Sequence, residues 1–138
     1  IGALVNFSAI CEELESSNTP FHMLCAGTNG STALEDTLLA GAIVDVLVDA
    51  GAVELNDSAR IAWDAHEQHG CVLISALELS AGGRHLLDLG MDEDLKSASA
   101  IDQFGLAPEY CSRQGFITAA RMHAGGDFYR GQSGLPFP

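Results

Sequence analysis

Basic residues are scarce in this chain. One lysine, Lys96, and five arginines stand against 19 acidic residues among 138, for a formal charge of −13. Such a surface repels phosphate backbones and anionic headgroups, so nucleic-acid or membrane binding through a basic patch is excluded. No apolar run reaches the roughly 18 residues that a membrane span needs. No basic segment leads into an apolar one, as a secretory signal would require. The four cysteines, Cys11, Cys25, Cys71 and Cys111, show no CxxC spacing. That scatter excludes a zinc ribbon and reads as reduced, mostly buried thiols of a cytoplasmic protein. The chain opens on Ile1, not on methionine, which reads as a start part-way through a longer protein.

What is present describes a folded domain. Hydrophobic residues make up 47% and charged residues 18%, a globular composition in a length that fits one domain. Phe7, Ile10, Cys11 and Leu14 recur at spacings of three and four, which predicts a helix capped by Asn6 or Ser8. Residues Phe21 to Ala26 (FHMLCA) form a continuous short apolar run before a glycine, the pattern of a buried parallel strand. Ala33 to Ala50 then reads as one helix, apolar on nearly every face and therefore buried on nearly every face. Gly41 in its middle marks a close approach by another helix or strand. Asp57 or Ser58 caps a further helix running to Gly70. Another follows over Cys71 to Leu79, then a tight turn or short helix ending at Gly90, and a short helix after Asp92. From Gly105 the pattern is irregular, and the glycine- and proline-rich tail from Gly125 is unstructured unless it docks. One strand among several helices looks like part of a sheet whose other strands lie elsewhere.

The strongest chemical signal is the run Gly27-Thr28-Asn29-Gly30-Ser31-Thr32 between that strand and the long helix. Its glycines permit positive φ and leave main-chain amides uncovered, while the helix that follows offers unpaired N–H donors and a positive dipole end. The combination suits a phosphate or sulfonate oxygen. It is not a Walker loop, which needs a lysine. A plain capped tight turn accounts for the loop equally well. Thr32 and Glu35 have capping-box spacing. Asp36 beside Glu35 is the residue that capping does not explain, and two carboxylates in one helical turn suit Mg²⁺.

Residues 24 to 47, LCAGTNGSTALEDTLLAGAIVDVL, resemble the signature of the 2-phosphosulfolactate phosphatase (ComB-like) family. Residues 1 to 14 (IGALVNFSAICEEL), residues 80 to 90 (SAGGRHLLDLG), the acidic turn at 94 to 102 and Pro108 are similar to other segments of that family in the same order. The resemblance implies an α/β fold, with helices packed on a partial, mainly parallel sheet that belongs to a larger domain. Residues 1–124 would be the carboxyl-terminal portion of the phosphatase domain, followed by the tail at 125–138. It also implies a Mg²⁺-dependent phosphatase that hydrolyses 2-phospho-3-sulfolactate, or a related small phosphorylated acid, to 3-sulfolactate, a step of coenzyme M biosynthesis. Nothing here corresponds to the family's amino-terminal half. Ala98 and Gly82 stand where cysteine and histidine are frequent.

On that resemblance, Gly27, Thr28, Asn29, Gly30 and Ser31 bind the phosphate. Glu35 and Asp36 hold the metal or act on water, and Arg84 meets an anionic substrate group through its fork geometry. Arg84 fits a surface ion pair with Asp88 equally well. The expected partners are the substrate and either a second copy of the chain or a complementary amino-terminal half. The alternative function is a non-catalytic anion-binding or assembly domain. His66 and His69 read as a solvated helix end, Cys25 as a buried strand thiol without an activating neighbour, and Trp63 as a core anchor.

Overall fold

The computed structural model describes residues 1–17, 19–51, 54–113 and 115–122. The tail expected to lack structure lies outside these residues. The elements are a 3₁₀ turn at Leu4–Asn6, α1 (Phe7–Ser16), α2 (Leu34–Asp49), α3 (Asp57–His69), a 3₁₀ turn at Gly70–Val72, α4 (Leu73–Leu79), α5 (Ala81–Asp88), α6 (Asp92–Ser99), β1 (Leu106–Cys111) and β2 (Phe116–Met122).

Helix α2 is the spine. Its sequence has no polar stripe, and Leu38, Ala40 to Val44, Val46 and Leu47 are all buried. Two apolar clusters share it. Leu38 packs with Leu4, Leu73, Ala76, Leu77 and Leu95 on one side, while Ala42, Ile43, Val46 and Leu47 pack with Phe7 and Cys11 of α1 on the other. Burying each such large side chain contributes roughly 1.5–3 kcal/mol. Helix α3 crosses α2 at Gly41, where a Cβ would sit 2.0 Å from the Ala62 carbonyl oxygen. The close approach expected at Gly41 is therefore with a helix.

Capping departs from the sequence expectation at three ends. Asn6 stands at the start of α1 without capping it. Its side chain accepts from Ala3 N and donates to the carbonyls of Ile1 and Leu106. Asp102 caps α1 from a distance, accepting from Ser8 N at 2.7 Å and from Ser8 Oγ at 2.5 Å. Helix α2 begins after Ala33 with no side-chain cap, so the Thr32–Glu35 capping box is not formed. The cap of α3 is Asn56, one residue before those expected, and it accepts from Ala59 N.

The chain is mostly helical, and the sheet among its described residues corrects two expectations. It is a two-stranded antiparallel hairpin of β1 and β2, not a mainly parallel sheet, and it lies in the stretch expected to be irregular. Pro108 is tolerated because, among the described residues, β1 has a neighbour on one side only. Phe21 to Ala26 is not a strand. A parallel strand needs a ladder partner and cover on both faces, and these residues make no main-chain hydrogen bond among the described residues. Met23 tucks against the α1–α2 cluster, while Leu24 is 97% exposed.

Candidate functional site

The Gly27–Ser31 run folds into a miniature hairpin. Thr28 and Ser31 exchange both main-chain hydrogen bonds, at 2.9 and 3.0 Å. The two residues between them, Asn29 (φ 51) and Gly30 (φ 75), both take positive φ. Asn-Gly at such a two-residue turn is the favoured pairing, since asparagine and glycine tolerate the left-handed region best. That signal was readable in the sequence. Gly27 also has positive φ, at 70, and a Cβ there would lie 2.6 Å from the Ser31 carbonyl oxygen.

This geometry sorts the loop's donors. The Thr28 and Ser31 amides are spent within the turn. The Gly27 amide donates to Asp36 Oδ2 at 2.7 Å, so a carboxylate in the first turn of α2 pins the turn to the helix. At the exposed tip, the amides of Asn29 and Gly30 have no acceptor among the described residues, and neither do those of Leu34, Glu35 and Asp36 at the start of α2. These are donors a bound anion can use.

Glu35 and Asp36 diverge, as residues about 100° apart on a helix must. Asp36 turns to Gly27 and lines an apolar groove of about 680 Å³. The groove runs between α1, α2, the 21–26 segment and β1, with Ile10, Leu14, Leu39, Ile43 and Tyr110 among its walls. Glu35 turns to α5: a Cβ on Gly82 would lie 2.7 Å from Glu35 Oε1. Ser80 caps α5 by accepting from Gly83 N at 2.9 Å, and the Glu35 carboxylate lies over that positive helix end. The Ser80–Arg84 and Glu35–Asp36 segments, 44 or more residues apart in sequence, are thus brought together. Arg84 itself is exposed and donates to the Leu79 carbonyl oxygen. No ion pair joins it to Asp88 among the described residues.

Three further side chains differ from expectation. His66 is not a solvated helix end but is 2% exposed, housed where Gly41 and Gly70 leave room for its ring and Cβ. Burial pushes its pKa down, against the pull of Asp45 and Glu67. His69 is exposed, as expected. Cys25 is exposed rather than buried, with its Sγ 3.7 Å from the Asp36 carbonyl oxygen. Desolvation and then the Asp36 charge raise its pKa, so it is a weak nucleophile. Trp63 is half-buried and donates from Nε1 to Asp45 Oδ1 at 2.8 Å. Cys11, buried beside acidic residues, has its thiol pushed up to about 12, first by desolvation and then by Glu15, Asp102 and Glu12. The thiols of Cys11, Cys25 and Cys111 are free.

Oδ2 of Asp36 is taken by Gly27 N, whereas Oδ1 takes no hydrogen bond among the described residues. An open carboxylate oxygen suits Mg²⁺, which is commonly held by one or two carboxylates with water and substrate phosphate completing its shell. Among the described residues no group of three or more His, Cys, Asp or Glu could enclose a metal. The fit is therefore to a cation shared with substrate and not to a protein cage.

Fold and site together describe a mostly helical protein with a small sheet among its described residues, in which one acid-pinned turn precedes the long central helix. Residues 1–113 match the family model described as 2-phosphosulpholactate phosphatase, and the chain belongs to that family. A probable 2-phosphosulfolactate phosphatase of Symbiobacterium thermophilum is 31% identical over 115 residues, covering 83% of this chain and 49% of that protein. One from Caldanaerobacter subterraneus subsp. tengcongensis is 29% identical over 109 residues, covering 79% and 45%. One from a Synechococcus strain is 31% identical over 128 residues, covering 87% and 49%. The chain spans about half the length of these curated relatives. No helix among the described residues is long and apolar enough to cross a membrane.

Proposed function

We propose that this chain forms the anion-binding part of a phosphatase acting on 2-phosphosulfolactate or a related small phosphorylated acid. The observation that carries this reading is the Gly27–Asp36 contact, which fixes a carboxylate beside open main-chain amides at the edge of a groove. The family match supports the reaction class. In the reaction, the Asn29 and Gly30 amides and the first-turn amides of α2 bind phosphate oxygens, whose negative charge the positive end of α2 favours. Asp36, held by Gly27, orients the attacking water or passes a proton through its open oxygen. Asp36 would also hold Mg²⁺ through that oxygen, and bound there the ion supplies charge neutralisation at the phosphate. Glu35 acts at a remove, keeping the first turn of α5 against α2. Arg84 reaches an anionic substrate group if its guanidinium leaves the Leu79 carbonyl.

The test is phosphate release from 2-phosphosulfolactate by the assembled protein, with Mg²⁺ and with a chelator. Asp36→Asn keeps an oxygen for the Gly27 amide and removes the charge, so it is expected to lower turnover by about 100-fold or more with the fold intact. Unchanged turnover would remove the assignment. A second reading, a non-catalytic anion-binding or assembly domain, is favoured by the chain's matching only 45–49% of the length of these relatives. It predicts phosphate binding without hydrolysis.

A further inference from the structure

Asparagine is a thermolabile residue, and its lifetime depends on the residue that follows it. It is lost when the next main-chain nitrogen attacks its side-chain carbonyl carbon, an approach that any side chain on that next residue obstructs. Asn6 precedes Phe7, Asn18 precedes Thr19 and Asn56 precedes Asp57, whereas Asn29 precedes Gly30, which has no side chain. Folding widens the difference. Asn6 is 5% exposed, and its side chain is held by Ala3 N and by the carbonyls of Ile1 and Leu106. Asn56 accepts from Ala59 N, and the nitrogen that would attack it belongs to the first residue of α3. Asn18 lies outside the described residues, before a stiff β-branched neighbour. Asn29 has no such restraint. It and Gly30 are exposed, and the Asn29 side chain makes no hydrogen bond among the described residues. The Gly30 amide has no acceptor there either, and nothing lies within 4 Å of where a Gly30 Cβ would be. Residues 28 to 31 are all exposed, so moving the Gly30 nitrogen onto Asn29 Cγ disturbs the Thr28–Ser31 hydrogen bonds and no buried side chain.

We infer that Asn29 is a site of spontaneous covalent modification, where the chain converts its own side-chain amide to a carboxylate with water as the only co-reactant. The Gly30 nitrogen gives its proton to solvent base and bonds to Asn29 Cγ. The bond from Cγ to Nδ2 breaks, and the side-chain nitrogen leaves as ammonia, closing a cyclic imide. Water then adds to one ring carbonyl and opens the ring. Opening between Cγ and the Gly30 nitrogen leaves aspartate. Opening between the Asn29 main-chain carbonyl carbon and that nitrogen leaves isoaspartate, with one extra methylene in the main chain. No group is oxidised or reduced. The consequence for binding rests on the anion site proposed above. Either product sets a negative charge at the tip, beside the open Asn29 and Gly30 amides, where it repels a phosphate. Isoaspartate also lengthens the turn, so that Thr28 and Ser31 lose the register in which they exchange both hydrogen bonds. The change runs one way and gives the turn a finite working life.

The experiment incubates the folded chain in mildly alkaline buffer and follows each asparagine by peptide mass mapping, with enzymatic methylation to count isoaspartate. Affinity for inorganic phosphate is read before and after from the NMR shifts of the Asn29 and Gly30 amides. Asn29 is expected to convert at least about tenfold faster than Asn6 and Asn56, at a rate that rises with pH. Phosphate affinity should fall about tenfold in the converted chain. Asn29→Gly keeps a favoured two-residue turn and removes the reacting carbon, so its phosphate affinity should be the same before and after incubation. Two outcomes would overturn the inference: an Asn29 as durable as Asn6 and Asn56, or conversion that begins only when urea unfolds the chain. Conversion at Asn29 with unchanged phosphate affinity would uphold the modification and count against the proposed anion site alone.

Discussion

Replacing Gly41 by alanine tests how closely α2 and α3 are joined. In an exposed helix interior the change is favourable by about 1 kcal/mol, because alanine loses less backbone entropy than glycine. Here the new Cβ would lie 2.0 Å from the Ala62 carbonyl oxygen, 2.6 Å from its carbon and 2.7 Å from His66 Cβ. The first two are main-chain atoms in the middle of α3, so no rotamer change relieves them. The helices would have to part by more than an ångström along the most extensive helix–helix contact in the fold. Overpacking of this kind costs roughly 3 kcal/mol or more at such contacts, and the propensity gain offsets about 1 kcal/mol of it. The net expectation is destabilisation by about 2 kcal/mol, which for a chain of this size lowers Tm by about 8 °C. Thermal and urea unfolding followed by circular dichroism measure both quantities. Two other helical glycines serve as references. A Cβ at Gly83 would lie 1.8 Å from the Leu77 carbonyl oxygen, so Gly83→Ala should also destabilise. A Cβ at Gly82 meets only the movable end of Glu35, so Gly82→Ala should stay within about 0.5 kcal/mol of the parent. A Gly41→Ala protein as stable as the parent would refute the close crossing.

Other expectations can be checked on the same chain. The pKa of His66 is lowered below its ordinary value of 6.5, so the unfolded chain binds its proton first. Stability is then complete above about pH 6.5 and lost as pH falls toward the folded value. Tm measured from pH 8 to pH 5 should show that slope, and a His66→Gln variant that retained the full slope would assign it to other groups. Asp102→Ala removes both hydrogen bonds to Ser8 and should cost about 1–2 kcal/mol, the usual range for a lost helix cap. Urea midpoints equal to the parent's would show that Asp102 does not serve as that cap. A thiol reagent should label exposed Cys25 in the native chain but reach Cys11 only on unfolding. Equal labelling rates would contradict the burial of Cys11.

The helices were legible because their signals are local. Phe7, Ile10, Cys11 and Leu14 place α1, the apolar run of 38–47, broken only by Asp45, places α2, and Ser80 and Gly90 bracket α5. What was lost is non-local. Whether Phe21–Ala26 pairs depends on partner strands, and the described residues supply none. The β1–β2 hairpin was hidden by Pro108, which argues against a strand unless the strand is known to lie at an edge. His66 reads as polar surface until the glycines on α2 and after α3 are seen to make space for it. The Gly27–Asp36 contact follows from loop and helix together, and only the folded geometry shows that Asp36, not Glu35, faces the turn. The divergence of the two acids was expected from helical spacing alone.

The clasp between Ser8 and Asp102 governs timing as well as stability. Ninety-four residues separate the first helix from the carboxylate that completes its start, and Asn6 likewise waits for Leu106. During synthesis the opening helix therefore emerges unfinished and settles only when the hairpin region has left the ribosome. Its apolar face has cover sooner, from Ala42, Ile43, Val46 and Leu47 of α2. Residues near Ser8 are thus secured by residues made long after them.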